Sequence, residues 1–273
     1  MFIIKSKFMN NNVELKSNQE DSPESETNLK RVDKKLRLTP VIDNFESAVS
    51  LWWKNLKKFL LIYWQGLKPA LIPIGILLIL YIIKQEAGLL SYPFFLVYIL
   101  LTAVAYLFAL YFITRAQIAI FLFIKNGFLG EIDKLYKDSK NLFWPYIGLS
   151  LLTAILIILW TFLFIIPGII YSVFYVFAIY VFFCEGKKGM DAIRRSKNLV
   201  SGHFWSVFGR ILFLLLVTII FVSIIALPLS PLPKESAAYT IWNFIMQIIN
   251  IIVAPVYIIF FYKIYNDLVK MKK

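Results

Sequence analysis

The chain has 273 residues, of which 60% are hydrophobic and only 16% charged, with a net charge of +13 and a mean hydropathy of +0.73. A soluble domain carries about 45–50% apolar and roughly 25% charged residues, so the apolar excess is more than a buried core consumes and points to lipid as the solvent. A single cysteine, Cys184, and a single histidine, His203, exclude an intrachain disulfide framework, a cysteine-cluster zinc site and a two-histidine metal centre.

In chain order, residues 1–43 read as a cytoplasmic tail. Met1-Phe2-Ile3-Ile4 is followed at once by Lys5 and Lys7, without the apolar core of about 7–15 residues that a signal peptide needs. Residues 10–39 are rich in Ser, Asn, Glu and Lys and poor in large apolar side chains, a composition that predicts disorder. Phe45, Val49, Trp52, Leu56 and Phe59 then recur at helical spacing, with Glu46, Ser50, Lys54, Lys57 and Lys58 on the other faces. Trp52 and Trp53 suit the headgroup region. The apolar stretch over residues 70–83, extended back past Lys68 and Gly66, gives a first span, with Lys68 snorkelling outward. A charge-free run over residues 89–114 gives the second.

A second amphipathic stretch, residues 131–142, sets Ile132, Leu135 and Leu142 among Lys134, Lys137 and Lys140. The uncharged run that follows, residues 143–183, is 41 residues long. That length is too great for one crossing, since a bilayer core of about 30 Å needs roughly 20 helical residues. Pro167 and Gly168 fall near its middle and predict the turn of a tight hairpin between spans at residues 144–166 and 169–183. A third amphipathic stretch, residues 190–200, sets Ile193, Leu199 and Val200 against Arg194, Arg195 and Lys197. The last two spans are expected at residues 211–229 and 237–261, with a basic cytoplasmic tail at 264–273.

The expectation is an all-α, polytopic integral membrane protein: a six-span membrane domain over residues 44–263, with three interfacial amphipathic helices on its cytoplasmic face. Of the 29 basic residues, all but two, Lys84 and Lys234, fall on one side of a six-span topology. By the positive-inside rule, both termini are expected in the cytoplasm and the protein in the cytoplasmic membrane. Lys54-Asn55-Leu56, Lys140-Asn141-Leu142 and Lys197-Asn198-Leu199 close the three amphipathic stretches. They suggest a threefold repeat of one interfacial helix plus one hairpin.

Chemistry-bearing motifs are sparse. The sequence has no Gly-x-Ser-x-Gly elbow, His-Glu-x-x-His helix, Walker loop or dinucleotide loop. Ser201-Gly202-His203 lacks an orienting carboxylate, so His203 reads as an interfacial polar residue. On the last span, Asn243, Gln247 and Asn250 share one helical face. Amides in lipid want partners, so helix–helix glue is the favoured reading and a solute-lining stripe the other. Glu185 precedes Gly186-Lys187-Lys188-Gly189 and is positioned to cap the next helix or to pair with Arg194 or Arg195. Either would fix the angle between the fourth span and the third amphipathic helix.

Pro167-Gly168, Glu185 after an apolar span, and the series Ala192, Ser196, Leu199 and Gly202 form an ordered set. In this it resembles a broad family of prokaryotic six-span membrane proteins, related to the membrane domain fused to some glycerophosphodiester phosphodiesterases. The resemblance implies an all-helical membrane domain and brings no active site. The expected function is therefore non-enzymatic, with no cofactor, metal or nucleic acid. The expected partners are membrane lipids, anionic ones in particular, or another membrane protein. A small-solute or lipid transporter, or a transporter accessory subunit, is the alternative, and a membrane-embedded lipid enzyme comes third.

Overall fold

The computed structural model describes residues 38–87, 92–229, 233 and 236–272. Every regular element among them is helical: α1 (Val41–Ala87), α2 (Tyr92–Lys125), α3 (Ile132–Leu163), α4 (Ile165–Tyr175), α5 (Ala178–Glu185), α6 (Gly189–Val200), α7 (Phe204–Ala226), a 3-10 turn (Leu227–Leu229) and α8 (Ala237–Met271). Five helical stretches among the described residues are long and apolar enough to cross a membrane: Leu96–Lys125, Ile132–Leu163, Ile165–Glu185, Phe204–Ala226 and Ala237–Met271. The protein is an all-α polytopic membrane protein. Its expected first span, residues 70–83, lies in the second half of α1; the backbone is helical there, but several of the side chains fall outside the described ones. A count of six spans is thus an inference from the sequence.

The helices pack chiefly α1 on α2, α2 on α3, α3 on α4 and α8 on α1, with α7 only lightly held, and all meet at the end of the molecule that carries the basic connections. There Phe59 and Ile62 of α1, Ile118, Phe123 and Ile124 of α2, Leu135 and Leu149 of α3, Ala178 and Tyr180–Phe183 of α5, Val207 of α7 and Phe260, Ile264 and Leu268 of α8 join in one buried cluster. Away from that end the pairs are bare on most faces. Along residues 96–110 of α2, for example, only Ala105 is buried. The molecule is therefore held together at its basic end, and its outer halves present Ile, Leu and Phe to lipid.

Several expectations need correction. The first two amphipathic stretches are not separate interfacial helices, because α1 and α3 run unbroken from them into the following apolar segments. The apolar stripe continues at the same helical period into each span. Pro69, Pro73 and Pro145 sit inside the helices without ending them, as neighbouring groups in a membrane protein allow. The third stretch does form its own helix, α6. The expected basic tail at 264–273 is helical to Met271, where α8 ends, with Ile264, Tyr265 and Leu268 in the core. At the other end α1 already starts at Val41, inside the expected 1–43 tail; residues 1–37 lie outside the described residues.

The hairpin turn is displaced. The chain turns at Phe164, whose backbone is extended (φ −160°, ψ 142°). Pro167 and Gly168 belong to the first turn of α4, where a proline's missing N–H is not needed. Gly168 serves a close approach instead: an added Cβ would overlap the Thr161 side chain and lie 2.8 Å from Thr161 Cα. Beside this approach, Trp160 stacks on Tyr171 with ring centroids 4.0 Å apart.

Between α4 and α5 the helix breaks at Val176–Phe177, in the middle of an apolar span. Backbone groups freed in such surroundings must find protein partners. Ser196 of α6 supplies both: its hydroxyl accepts from the Phe177 N–H at 3.2 Å and donates to the Phe174 carbonyl at 2.7 Å. Ala192, Ser196 and Leu199, one face of α6, are completely buried against this break, and Gly202 ends the segment with a left-handed φ of +88°. The succession of small and polar residues quoted from the sequence is thus the surface that repairs a broken span.

Ser196→Ala should strand both backbone groups and lower stability by about 2–6 kcal/mol, at roughly 1–3 kcal/mol for each buried unpaired group. The check is a fall in the unfolding midpoint in detergent, set against an alanine replacement of exposed Ser201.

Candidate functional site

Around the basic end, polar side chains form a belt that repeatedly returns to the last turns of α8. In one part of it Glu185, at the end of α5, meets α6 and α8. Arg195 shares its Nε–H between the two carboxylate oxygens at 3.0 and 3.1 Å. Lys187 lies 3.2 Å away, and Tyr265 Oη donates at 3.2 Å. Gly186, with φ +71°, makes the left-handed turn that brings Lys187 back over the carboxylate. Of the two arginines offered by the sequence it is Arg195 that pairs; Arg194 is exposed. Glu185 and Arg195 expose 20% and 25% of their side chains, so the pair is half-shielded from solvent screening.

A second cluster joins the segment before α1 to α7 and α8. Arg210 is 7% exposed; it donates to the Ser206 carbonyl at 2.9 Å and to the Thr39 carbonyl at 2.7 Å. Thr39 in turn donates its hydroxyl to Asp267 at 2.6 Å and its N–H at 3.2 Å. Lys263 bonds the Ser47 hydroxyl. One carboxylate, Asp267, therefore stands near two cations, Arg210 and Lys263. A third cluster ties α2 to α3 and α1: Arg115 bonds Ser139 at 3.2 Å and the Tyr136 carbonyl, while Tyr136 Oη donates to the Ile62 carbonyl at 3.2 Å.

Outside the belt the surface is basic and aromatic. Arg194 and Lys197 are exposed on α6. Lys197 Nζ lies over the rings of Tyr171 and Phe174 at 5.3 and 5.9 Å, and Trp205 beyond it is 78% exposed. On α1, Lys54 and Lys57 are exposed and Trp53 is 69% exposed. Trp52 is not free for headgroups as expected. Its indole N–H donates to the Ile252 carbonyl at 2.9 Å and pins α1 to α8.

Farther along α1, an apolar groove of about 260 Å³ opens toward α2, lined by Pro69, Ile72, Pro73, Ile76, Leu101 and Phe108 among others. It closes at Gly66, where an added Cβ would meet Tyr136 Oη and lie 3.1 Å from Ala116 Cβ. The amide stripe of α8 also departs from expectation. Asn243 is half-buried, whereas Gln247 and Asn250 are exposed, and Asn250 Nδ2 bonds only its own helix at the Met246 carbonyl, 3.0 Å away. Within the described chain these amides join no two helices.

Sequence reasoning singled out Glu185 and Arg195 and quoted Ser196 as part of a motif without giving it a partner, but it assigned no role to Arg210 and missed Lys263, Tyr265 and Asp267. Only long-range packing brings these residues together. The signal that could have found some of them is Arg210, a charge six residues inside an apolar helix. Among the described residues no group of three or more His, Cys, Asp or Glu side chains could hold a metal ion.

Glu185→Leu should leave Arg195 and Lys187 facing each other without a counter-charge and cost about 2 kcal/mol, whereas Glu185→Gln, which still accepts from Tyr265, should cost about 1 kcal/mol or less after allowance for partial exposure. Unfolding midpoints of the two variants, measured side by side in one detergent, check this order. Compared with protein families, curated proteins and solved structures, the chain finds no match.

Proposed function

We propose that this membrane protein is non-enzymatic and acts by association, holding acidic phospholipid headgroups and membrane partners against its basic end, on the cytoplasmic side of the cytoplasmic membrane. The observation that carries the reading is the outer face of α6. Arg194 and Lys197 stand free of any carboxylate partner among the described residues, beside Trp205 and the rings of Tyr171 and Phe174. Cations beside exposed tryptophan match the interface, where acidic lipid attracts each basic residue by about 1 kcal/mol, less in salt. Arg195 does a different job. Its guanidinium is held by Glu185, so it braces α6 rather than meeting lipid. The motif-level kinship with six-span prokaryotic membrane proteins fits this reading.

A carrier of small solutes, or its accessory subunit, is the rival reading and draws on Asn243, Gln247 and Asn250. It requires solute flux into reconstituted vesicles that leucine at those three positions abolishes; the association reading requires none.

Replacing Arg194 and Lys197 together with alanine should cut the acidic fraction of co-purifying lipid severalfold, as read by lipid mass spectrometry, without moving the unfolding midpoint. Unchanged lipid selectivity in that variant would remove the basis for headgroup recognition. Arg195→Ala should instead lower the midpoint.

A further inference from the structure

The outer half of α8 carries a polar seam that no other helix covers. Thr240, Asn243, Gln247, Asn250 and Ala254 follow one another in steps of three, four, three and four residues. That alternation is the spacing which keeps one stripe of a helix facing a partner helix over several turns. Thr240, Gln247 and Asn250 are exposed, and Asn243 and Ala254 are half-buried. Thr240 and Asn250 turn their donors back to carbonyls of their own helix, Ser236 and Met246. Asn243 and Gln247 have no hydrogen-bond partner among the described residues. Gln247 lies ten residues from the start of α8 at Ala237, which at about 1.5 Å per residue is about 15 Å, half the thickness of a bilayer core of about 30 Å. A side-chain amide at mid-bilayer and another one turn nearer the helix start, without a partner among the described residues, are costly unless something outside the monomer bonds them.

We infer that the occupant of this seam is a second copy of the same chain, so that α8 forms the axis of a parallel two-fold dimer in the membrane. A primary amide carries a donor and an acceptor at once and is complementary to itself. A two-fold axis along the membrane normal brings each residue opposite its own copy at the same depth. Asn243 then meets Asn243, Gln247 meets Gln247 and Asn250 meets Asn250, with no register to search. A different protein would have to offer three amides at matching heights; this chain does so by symmetry. Phe244 and Ile251, 65% and 51% exposed beside the seam, supply apolar side chains to pack along the contact. Ala254, small and next in the series, lets the two helices approach at the inner end. Beyond it α8 turns to its own core through Phe260, Ile264 and Leu268, so the pairing is confined to the outer half.

The test uses the full chain in lipid nanodiscs and vesicles, with Cys184→Ser as background. A single Gln247→Cys in that background should give a disulfide-linked dimer on oxidation with copper phenanthroline, since the two-fold contact sets the Cβ atoms near the required spacing of about 4 Å. A cysteine replacing Phe162, which is 89% exposed on another face, should not. Single-molecule photobleaching at high lipid dilution should show two-step traces for the native chain. Asn243→Leu, Gln247→Leu and Asn250→Leu combined should weaken dimerisation at least tenfold. Because two of these side chains are exposed, the unfolding midpoint of that variant should hold, and if it does not, Gln247→Leu alone should still weaken dimerisation measurably. One-step traces for the native chain, equal linkage at positions 162 and 247, or dimers indifferent to the leucines would each overturn the inference.

Discussion

A backbone carbonyl or amide in hydrocarbon can bond only to protein, and this rule governs how the molecule is put together. Its sharpest instance is the break at Val176–Phe177, which would be prohibitive in an isolated span. The Ser196 hydroxyl closes it from a neighbouring helix, and the need to deliver that hydroxyl explains why α6 is amphipathic, short and flanked by glycine turns. A helix that merely floated on a leaflet would have no reason to bury Ala192, Ser196 and Leu199 completely. The Glu185–Arg195 pair and the Tyr265 hydroxyl then hold α6 at the height where the repair works. Polar groups in this protein act first on its own backbone.

The same logic sets the distribution of packing. Apolar side chains gain little by leaving lipid for one another, so the outer halves of the helices can stay bare at small cost. Close packing is concentrated at the basic end, where Arg210, Lys263, Asp267, Arg115 and Glu185 need partners and where aromatic rings fill the space between converging helices. Gly66 and Gly168 mark two close approaches between helices, α1 with α2 and α3 with α4. One glycine closes the lipid-facing groove, and the other sits beside the turn of the central hairpin.

Much of the architecture was legible because hydropathy reports solvent directly. The all-helical class, the spans after α1 and the segregation of basic residues come from composition and run length alone. Local punctuation was less readable. Pro167-Gly168 has the form of a turn, yet a proline tolerated in the first turn of a helix and a glycine needed for close approach give the same two letters. The amphipathic stretches of α1 and α3 look like interfacial helices because an apolar stripe serves equally to rest on lipid or to pack on α2, α5 and α8. Asn243, Gln247 and Asn250 were visible as a stripe, but periodicity does not say whether its face meets a neighbour in the same chain. The partners of Ser196, Asp267 and Tyr265 were beyond reach, since they lie from 19 to 228 residues away in the chain.

The convergence on α8 bears on how the chain is made. The packing of α1 on α2, α2 on α3 and α3 on α4 joins helices that follow one another in the chain, whereas α8 packs chiefly on α1, at the other end of it. Thr39, Ser47, Glu185 and Asn198, however, each take one partner from residues 263–272. Until that segment emerges from the ribosome these bonds stay open, and the arrival of the end of α8 closes them, fastening the segment before α1, α1 itself and α6 to the last helix.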